Sequence, residues 1–160
     1  MPHSVDHAAI KTGQISAIIV LLFAAGLDRW EPVAGLAVAF LVTALAWDFG
    51  PFVLLYRFVL KPLGLVQPDI RLDNLQPHRF GQAIGAISAM AAAAALIQGH
   101  ATIGWALVGV LVILTAISFT GWCIGCFIYY QMNRLGLGGF FNRAPTDSGV
   151  PLGARPRRDS

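Results

Sequence analysis

The chain has 160 residues, of which 56% are hydrophobic and 12% charged, and its mean hydropathy is +0.67. Because charged residues make up about a quarter of a typical soluble domain, this composition excludes an ordinary soluble protein and predicts an integral membrane protein. The formal net charge of +3 is small, and no phosphate loop, nucleotide fingerprint or zinc-finger spacing accompanies it, so no nucleic-acid partner is expected.

The hydrophobic residues form four long blocks, at residues 13–27, 33–47, 80–97 and 101–130. Blocks of this length predict spanning helices rather than the alternating strands of a barrel. We therefore predict an all-α membrane protein with four transmembrane helices over residues 13–135, a flexible polar cap at 1–12 and a disordered tail at 136–160. A cleaved signal peptide is the alternative for the first block, but a single Lys set against Asp6 precedes it, which favours a retained helix.

The apolar residues of the second block continue beyond it to residue 60, but Pro51 interrupts the helix, because proline lacks an N–H and clashes with the preceding turn. A straight helix over residues 33–60 would be roughly 42 Å long, well beyond a hydrocarbon core of about 30 Å. We predict that the second span ends near Asp48 and that residues 51–60 form a short interfacial helix, with Tyr56 and Arg57 at the headgroups. A single kinked and tilted helix is the alternative.

The segment 61–79 is predicted to be a loop, since it contains three prolines and mixed charges. The third block that follows has a small residue at every fourth position, which predicts a face for close helix packing. The residues of this face are Gly81, Gly85, Ala89 and Ala93.

The distribution of basic residues predicts the orientation. Four spans place both termini and the loop 61–79 on one side of the membrane, together with all but one of the lysines and arginines; only Arg29 falls opposite. The positive-inside rule then predicts a multi-pass membrane protein with cytoplasmic N- and C-termini. The basic residues on that side are Lys11, Arg57, Lys61, Arg71, Arg79, Arg134, Arg143, Arg155, Arg157 and Arg158.

Cys123 and Cys126 are the candidate reactive residues, at the cytoplasmic end of the fourth block. On a continuous helix over 101–130 the two sulfurs share one face, and Gly125 allows the local bending that a disulfide needs. Nearby positive charge favours the reactive thiolate, so Arg79 is predicted as an electrostatic helper, with Arg134 as another source of charge. The pair predicts thiol–disulfide or sulfur-handling chemistry.

Other interpretations of the pair stay open. Cysteine is a small hydrophobic residue, and two of them can pack in a membrane helix without reacting. A metal site is not expected, because its further ligands would have to come from His78 or Asp48, and His3 and His7 are assigned to the flexible cap. A surface cluster that joins Asp48, Arg57, His78 and Arg79 to the cysteines is compatible with the predicted depths.

Three motifs resemble an uncharacterised bacterial membrane family, the domain of unknown function 4395. They are Pro77-His78-Arg79-Phe80-Gly81-Gln82-Ala83-Ile84-Gly85, then Cys123-Ile124-Gly125-Cys126, then Arg134-Leu135-Gly136, within a resemblance over about residues 13–138. The resemblance implies a small integral protein of the bacterial inner membrane, sometimes near or joined to thioredoxin-like or sulfurtransferase-type proteins. It implies no activity, cofactor or catalytic residue.

Two functional hypotheses follow from these patterns. The first is a membrane thiol–disulfide or sulfur-handling protein whose partner is thioredoxin-like or of the sulfurtransferase type. The second is a non-enzymatic accessory subunit or assembly factor of a larger membrane complex, which would dock through the small-residue face, the interfacial helix and the basic tail. A transporter is disfavoured, because the spans contain almost no ionisable side chains. In either case the lipid bilayer is the surrounding medium.

Overall fold

The computed structural model describes residues 3–73 and 75–135, so the predicted tail 136–160 lies outside it. The fold is mainly helical, as predicted. It also contains one short pair of strands that was not predicted. The elements are β1 His3–Asp6, α1 His7–Leu27, α2 Glu31–Leu45, a 3₁₀ turn Trp47–Phe49, α3 Pro51–Leu55 continued by a π-helical turn Tyr56–Leu60, β2 Ile70–Asp73, α4 Leu75–Ile97, α5 Ala101–Phe119 and α6 Ile124–Arg134.

Within the described residues, three helices are long and apolar enough to cross a membrane, namely α1, α4 and α5. Large apolar side chains such as Ile19, Phe23 and Ile113 point outward and are more than half exposed, as expected of helices that face lipid. The chain is therefore a membrane protein. The helix α2 is also apolar but has only 15 residues, so four transmembrane helices are not confirmed.

The helices α1 and α4 run antiparallel to α2 and α5, and polar contacts between them show which ends lie together. Near the start of α1, Gln14 donates to Ser118 near the end of α5 at 2.9 Å. At the other end, the indole of Trp105 donates to the carboxylate that follows α1 at 2.9 Å. At the start of α4, Arg79 donates to the carbonyl of Ala44 near the end of α2 at 2.7 Å. The starts of α1 and α4 therefore lie beside the ends of α2 and α5, and we call this end of the bundle the dithiol end because it holds both cysteines.

The small-residue face of α4 is confirmed as a packing surface. Ala89 and Ala93 are buried in the main core, which is formed by α1, α2, α4 and α5. A Cβ at Gly85 would lie 3.1 Å from the ring of Phe40, so the missing side chain lets α2 approach closely.

The prediction of a flexible N-terminal cap is wrong for the residues that the structure describes. The helix α1 begins at His7, and β1 pairs antiparallel with β2, which lies inside the predicted loop 61–79. Asp6 caps α1, since its Oδ1 accepts from the backbone N–H groups of Ala8 and Asp69 at 3.0 Å each. Its Oδ2 accepts from the hydroxyl of Tyr56 at 2.7 Å. Tyr56 is therefore buried against the N-terminus and does not extend to the headgroups as predicted.

The predicted break before Pro51 is confirmed, and the alternative of one kinked helix is wrong. The helix α2 ends at Leu45, the 3₁₀ turn follows, and α3 begins at Pro51, where a missing N–H costs nothing. The chain folds back tightly here, since a Cβ at Gly50 would lie 2.6 Å from Oγ1 of Thr43.

Candidate functional site: a dithiol at a helix N-terminus

The two cysteines do not lie on one continuous helix, and that prediction is wrong. The helix α5 ends at Phe119 and α6 begins at Ile124. Gly121 has a φ of 110°, a backbone conformation that side-chain-bearing residues avoid and that commonly ends helices. The break therefore places Cys123 immediately before the first turn of a new helix.

Cys123 is the N-cap of α6. Its carbonyl accepts the backbone N–H of Phe127 at 2.9 Å, and its Sγ accepts the backbone N–H of Cys126 at 3.2 Å. An N-cap side chain satisfies one of the free N–H groups at a helix start, and the partial positive charge there favours an anion. A thiolate at this position is therefore stabilised by the backbone itself.

The electrostatic consequence is opposite for the two thiols, which lie outside the three candidate spans. A hydrogen bond from the side chain of Cys126, the nearby His78, the backbone N–H of Cys126 and a hydrogen bond from Ser118 all lower the pKa of Cys123, in that order of size. Together, and against the opposing effect of burial, they lower it from the ordinary 9.0 to about 6. The same hydrogen bond with Cys123, together with burial, raises the pKa of Cys126 above its usual range. These effects favour the thiolate at Cys123 and the neutral thiol at Cys126.

Cys126 faces a chain of polar groups from other elements. Its Sγ lies 3.8 Å from Nδ1 of His78, on the first turns of α4. The Nε2 of His78 is 2.9 Å from Oδ2 of Asp73, at the end of β2, and the same oxygen lies 3.0 Å from Nε2 of His7. The strand pair fixes this arrangement, because the antiparallel register sets β2 beside the residues that lead into α1.

Two glycines allow α6 to approach α4 closely enough for these contacts. A Cβ at Gly125 would lie 2.8 Å from the Cα of Gly81, a distance that real Cβ atoms do not adopt. The glycine inside Cys-x-Gly-Cys is therefore needed for helix contact, whereas the sequence had suggested a role in local bending.

A cavity of about 190 Å³ lies beside Cys123, between α1, α4, α5 and α6. Most of its wall is apolar, but His78, Gln14, Gln82 and Ser118 also line it. Within the described residues, the Oε1 atoms of both glutamines are buried without a hydrogen-bond partner. Buried acceptors normally have donors, so the cavity is suited to water or to a small ligand that carries N–H or O–H groups.

The structure brings Cys123 and Cys126 together, as predicted, but it directs Arg79 elsewhere. The guanidinium of Arg79 donates from Nε to the carbonyl of Ala44 at 2.7 Å and from an Nη atom to that of Leu45 at 2.8 Å. These bonds satisfy carbonyls at the C-terminus of α2. The role of Arg79 as an electrostatic helper stays a prediction, and the groups that contact the thiols are His78 and Ser118.

The larger predicted cluster at this end divides into two parts. Asp48 and Arg57 form an exposed ion pair of 3.0 Å, whereas His78 joins the cysteines. Sequence reasoning did not assign Asp73 or His7 to the site. The signal that could have indicated them is the density of His and Asp around the loop 61–79 and the N-terminus, but their pairing depends on strands of four residues each.

The family model described as domain of unknown function (DUF4395) matches residues 5–134, so the chain belongs to this family. The match covers both cysteines, His78, Asp73 and His7. No curated protein and no solved structure is significantly similar to the chain.

Proposed function

We propose that this protein is a membrane thiol–disulfide exchange protein in which Cys123 attacks and Cys126 resolves. The observation that carries the proposal is the N–H···S hydrogen bond from Cys126 to Cys123 at the start of α6, with 3.2 Å between nitrogen and sulfur. A thiol that only fills space needs no such donor, whereas a nucleophilic thiolate is stabilised by one.

The exchange has two balanced steps. The Cys123 thiolate attacks one sulfur of a substrate disulfide, so that a mixed disulfide forms and the other substrate sulfur leaves as a thiolate and takes a proton. Cys126 then loses its proton and attacks the sulfur of Cys123, which releases the second substrate thiol. The protein's dithiol is oxidised to a disulfide, and the substrate disulfide is reduced to two thiols.

Accessibility supports this division of roles. Cys123 is partly exposed and borders the cavity, whereas Cys126 is 5% exposed. The first attack requires access to the substrate, and the second requires only proximity to Cys123. A persulfide donor R–S–SH is also compatible: Cys123 would take the outer sulfur as its own persulfide and release R–SH.

The proposed physiological partner is a thioredoxin-like or sulfurtransferase-type protein, which would present its disulfide or persulfide at the dithiol end. We propose that this end is cytoplasmic and that α2 also crosses the membrane, which makes four crossings together with α1, α4 and α5. We propose further that α3 lies in the membrane interface. The antiparallel contacts support the crossing, and α2 with its 15 residues would extend about 22 Å of a hydrocarbon core of about 30 Å.

The order of the two cysteines is tested with dithionitrobenzoate on the full chain in detergent. The wild type is expected to release two thionitrobenzoates and keep none, because Cys126 displaces the second. Cys126→Ser should release one thionitrobenzoate and retain a mixed disulfide on Cys123. The matched variant Cys123→Ser should react with dithionitrobenzoate at least about tenfold more slowly than the wild type. Trapping on Cys126 instead would reverse the roles. Thiols that react only after denaturation would leave packing as their function.

Labelling in cells tests the membrane arrangement and the alternative role. A membrane-permeant maleimide should label the reduced dithiol in intact cells, whereas an impermeant one should not; impermeant labelling would reverse the orientation. The double variant Cys123→Ser/Cys126→Ser should insert normally but lose the cellular phenotype of the gene. A double variant that behaves as wild type would favour the accessory-subunit hypothesis.

A further inference from the structure

We infer that the reduced dithiol, together with His78, is a binding site for a thiophilic metal ion, with Zn²⁺ as the best match. The Sγ atoms of Cys123 and Cys126 and a ring nitrogen of His78 all lie within 4.8 Å of one another. This inference does not rest on the proposed exchange activity, because metal binding requires His78 and disulfide exchange does not.

The distances fit a metal without rearrangement of the backbone. Zinc ligand bonds of about 2.3 Å to sulfur and about 2.0 Å to nitrogen, at tetrahedral angles, separate the two ligand atoms by about 3.5 Å. The observed separation between Sγ of Cys126 and Nδ1 of His78 is 3.8 Å. Small rotations of the side chains are therefore sufficient to close the site.

The second contact of His78 has the form expected of a metal ligand. Its Nε2 lies 2.9 Å from Oδ2 of Asp73, so the proton is held on that nitrogen and the lone pair of Nδ1 faces the sulfurs. Histidines that bind metals usually donate their other N–H to a carboxylate in this way. The Nε2 of His7 lies 3.0 Å from the same carboxylate oxygen.

Charge and space favour Zn²⁺ with one exogenous ligand. Two thiolates and one Zn²⁺ sum to zero, which reduces the cost of a partly buried ionic site. Cys123 and His78 border the cavity of about 190 Å³, which leaves room for a fourth ligand such as water. Three protein ligands with one open position are typical of catalytic rather than structural zinc sites.

The test uses Co²⁺ as a spectroscopic probe on the full chain, reduced and freed of metal in detergent. One equivalent of Co²⁺ should produce sulfur-to-cobalt charge-transfer absorption, which Zn²⁺ should abolish by competition. His78→Gln, which keeps both thiols, should weaken Co²⁺ binding more than Asp73→Asn does. Asp73→Asn should weaken it by about 10- to 100-fold and leave the spectrum unchanged. The matched control His100→Gln, at an exposed turn, should bind as wild type.

A redox measurement on the wild type tests the metal site even if a variant fails to fold. Oxidation of the wild type to the disulfide should release the metal, and reduction should restore binding. No charge-transfer absorption in the reduced wild type would overturn the inference, and so would unchanged affinity in a folded His78→Gln variant. The metal-free wild type should still show the Cys123–Cys126 exchange reaction with dithionitrobenzoate, so a failure of metal binding is distinguishable from a failure of the proposed function.

Discussion

Substitution of Gly125 by alanine should separate α6 from α4 and destabilise the protein, and Gly81 provides a matched control. The Cβ added at position 125 would lie 2.8 Å from the Cα of Gly81 and 3.5 Å from its backbone nitrogen. Carbon atoms in contact are ordinarily about 3.5–4.0 Å apart, so the helices must separate by roughly 0.7–1.2 Å. Backbone atoms cannot rotate away as a side chain can.

The expected size of the effect follows from two opposing contributions. Overpacking of this kind costs about 1–3 kcal/mol, while replacement of a helical glycine by alanine gains up to about 1 kcal/mol. With the full gain from the helical alanine, the free energy of unfolding of Gly125→Ala should therefore fall by up to about 2 kcal/mol. In Gly81→Ala the new Cβ meets Sγ of Cys123 at 3.9 Å and the Cα of Gly125 at 4.0 Å, which are ordinary contacts. That variant should be as stable as wild type or more stable by up to about 1 kcal/mol.

Unfolding by SDS in mixed micelles, followed by circular dichroism, measures the difference between the two variants. The rate at which Cys126 displaces thionitrobenzoate from Cys123 provides a second readout, since displacement of α6 alters the surroundings of both sulfurs. The reasoning is refuted if Gly125→Ala matches the wild type in stability while Gly81→Ala is the weaker of the two.

Three further predictions concern single side chains. The alkylation rate of Cys123 in metal-free protein should be nearly flat above about pH 7 and fall about tenfold per unit below a pKa of about 6; a rate that still rises between pH 8 and 9 would contradict the lowered pKa. Arg79→Gln should reduce stability by about 1–3 kcal/mol through lost bonds to α2 carbonyls. It should leave the alkylation profile of Cys123 unchanged, and a profile shifted upward would instead support Arg79 as an electrostatic helper. Tyr56→Phe should reduce stability by about 1 kcal/mol, because the carboxylate of Asp6 loses a donor while packing is kept; equal SDS midpoints would contradict it.

Apolar blocks predicted the helices well, because the period and length of a hydrophobic run depend on local sequence alone. The start of α5 at Ala101 and the break at Pro51 follow from composition and from the missing N–H of proline. The break before α6 had a signal in Gly121, but the apolar residues on both sides favoured continuity. A single glycine can therefore end a helix inside a continuous hydrophobic run.

The site was less accessible to sequence reasoning, because it depends on contacts between distant segments. His78 was considered as a ligand and Asp73 was not, yet they lie five positions apart and 2.9 Å from each other. Their meeting requires the end of β2 to lie beside the first turns of α4, and β2 is paired with a strand that begins at His3. Strands this short have too few residues for an alternating pattern to be recognised.

The break between α5 and α6 explains why this dithiol differs chemically from two cysteines on one helix. In a continuous helix, the N–H of Cys126 would be bonded to the carbonyl of residue 122, and neither sulfur would have a backbone donor. The break frees that N–H, and Sγ of Cys123 accepts it. Cys123 then receives the stabilisation of a helix N-terminus, while Cys126, one turn later, lies toward His78. The spacing of the cysteines is the same in both cases, so the asymmetry between the two sulfurs originates in the turn at Gly121 rather than in the Cys-x-x-Cys motif itself.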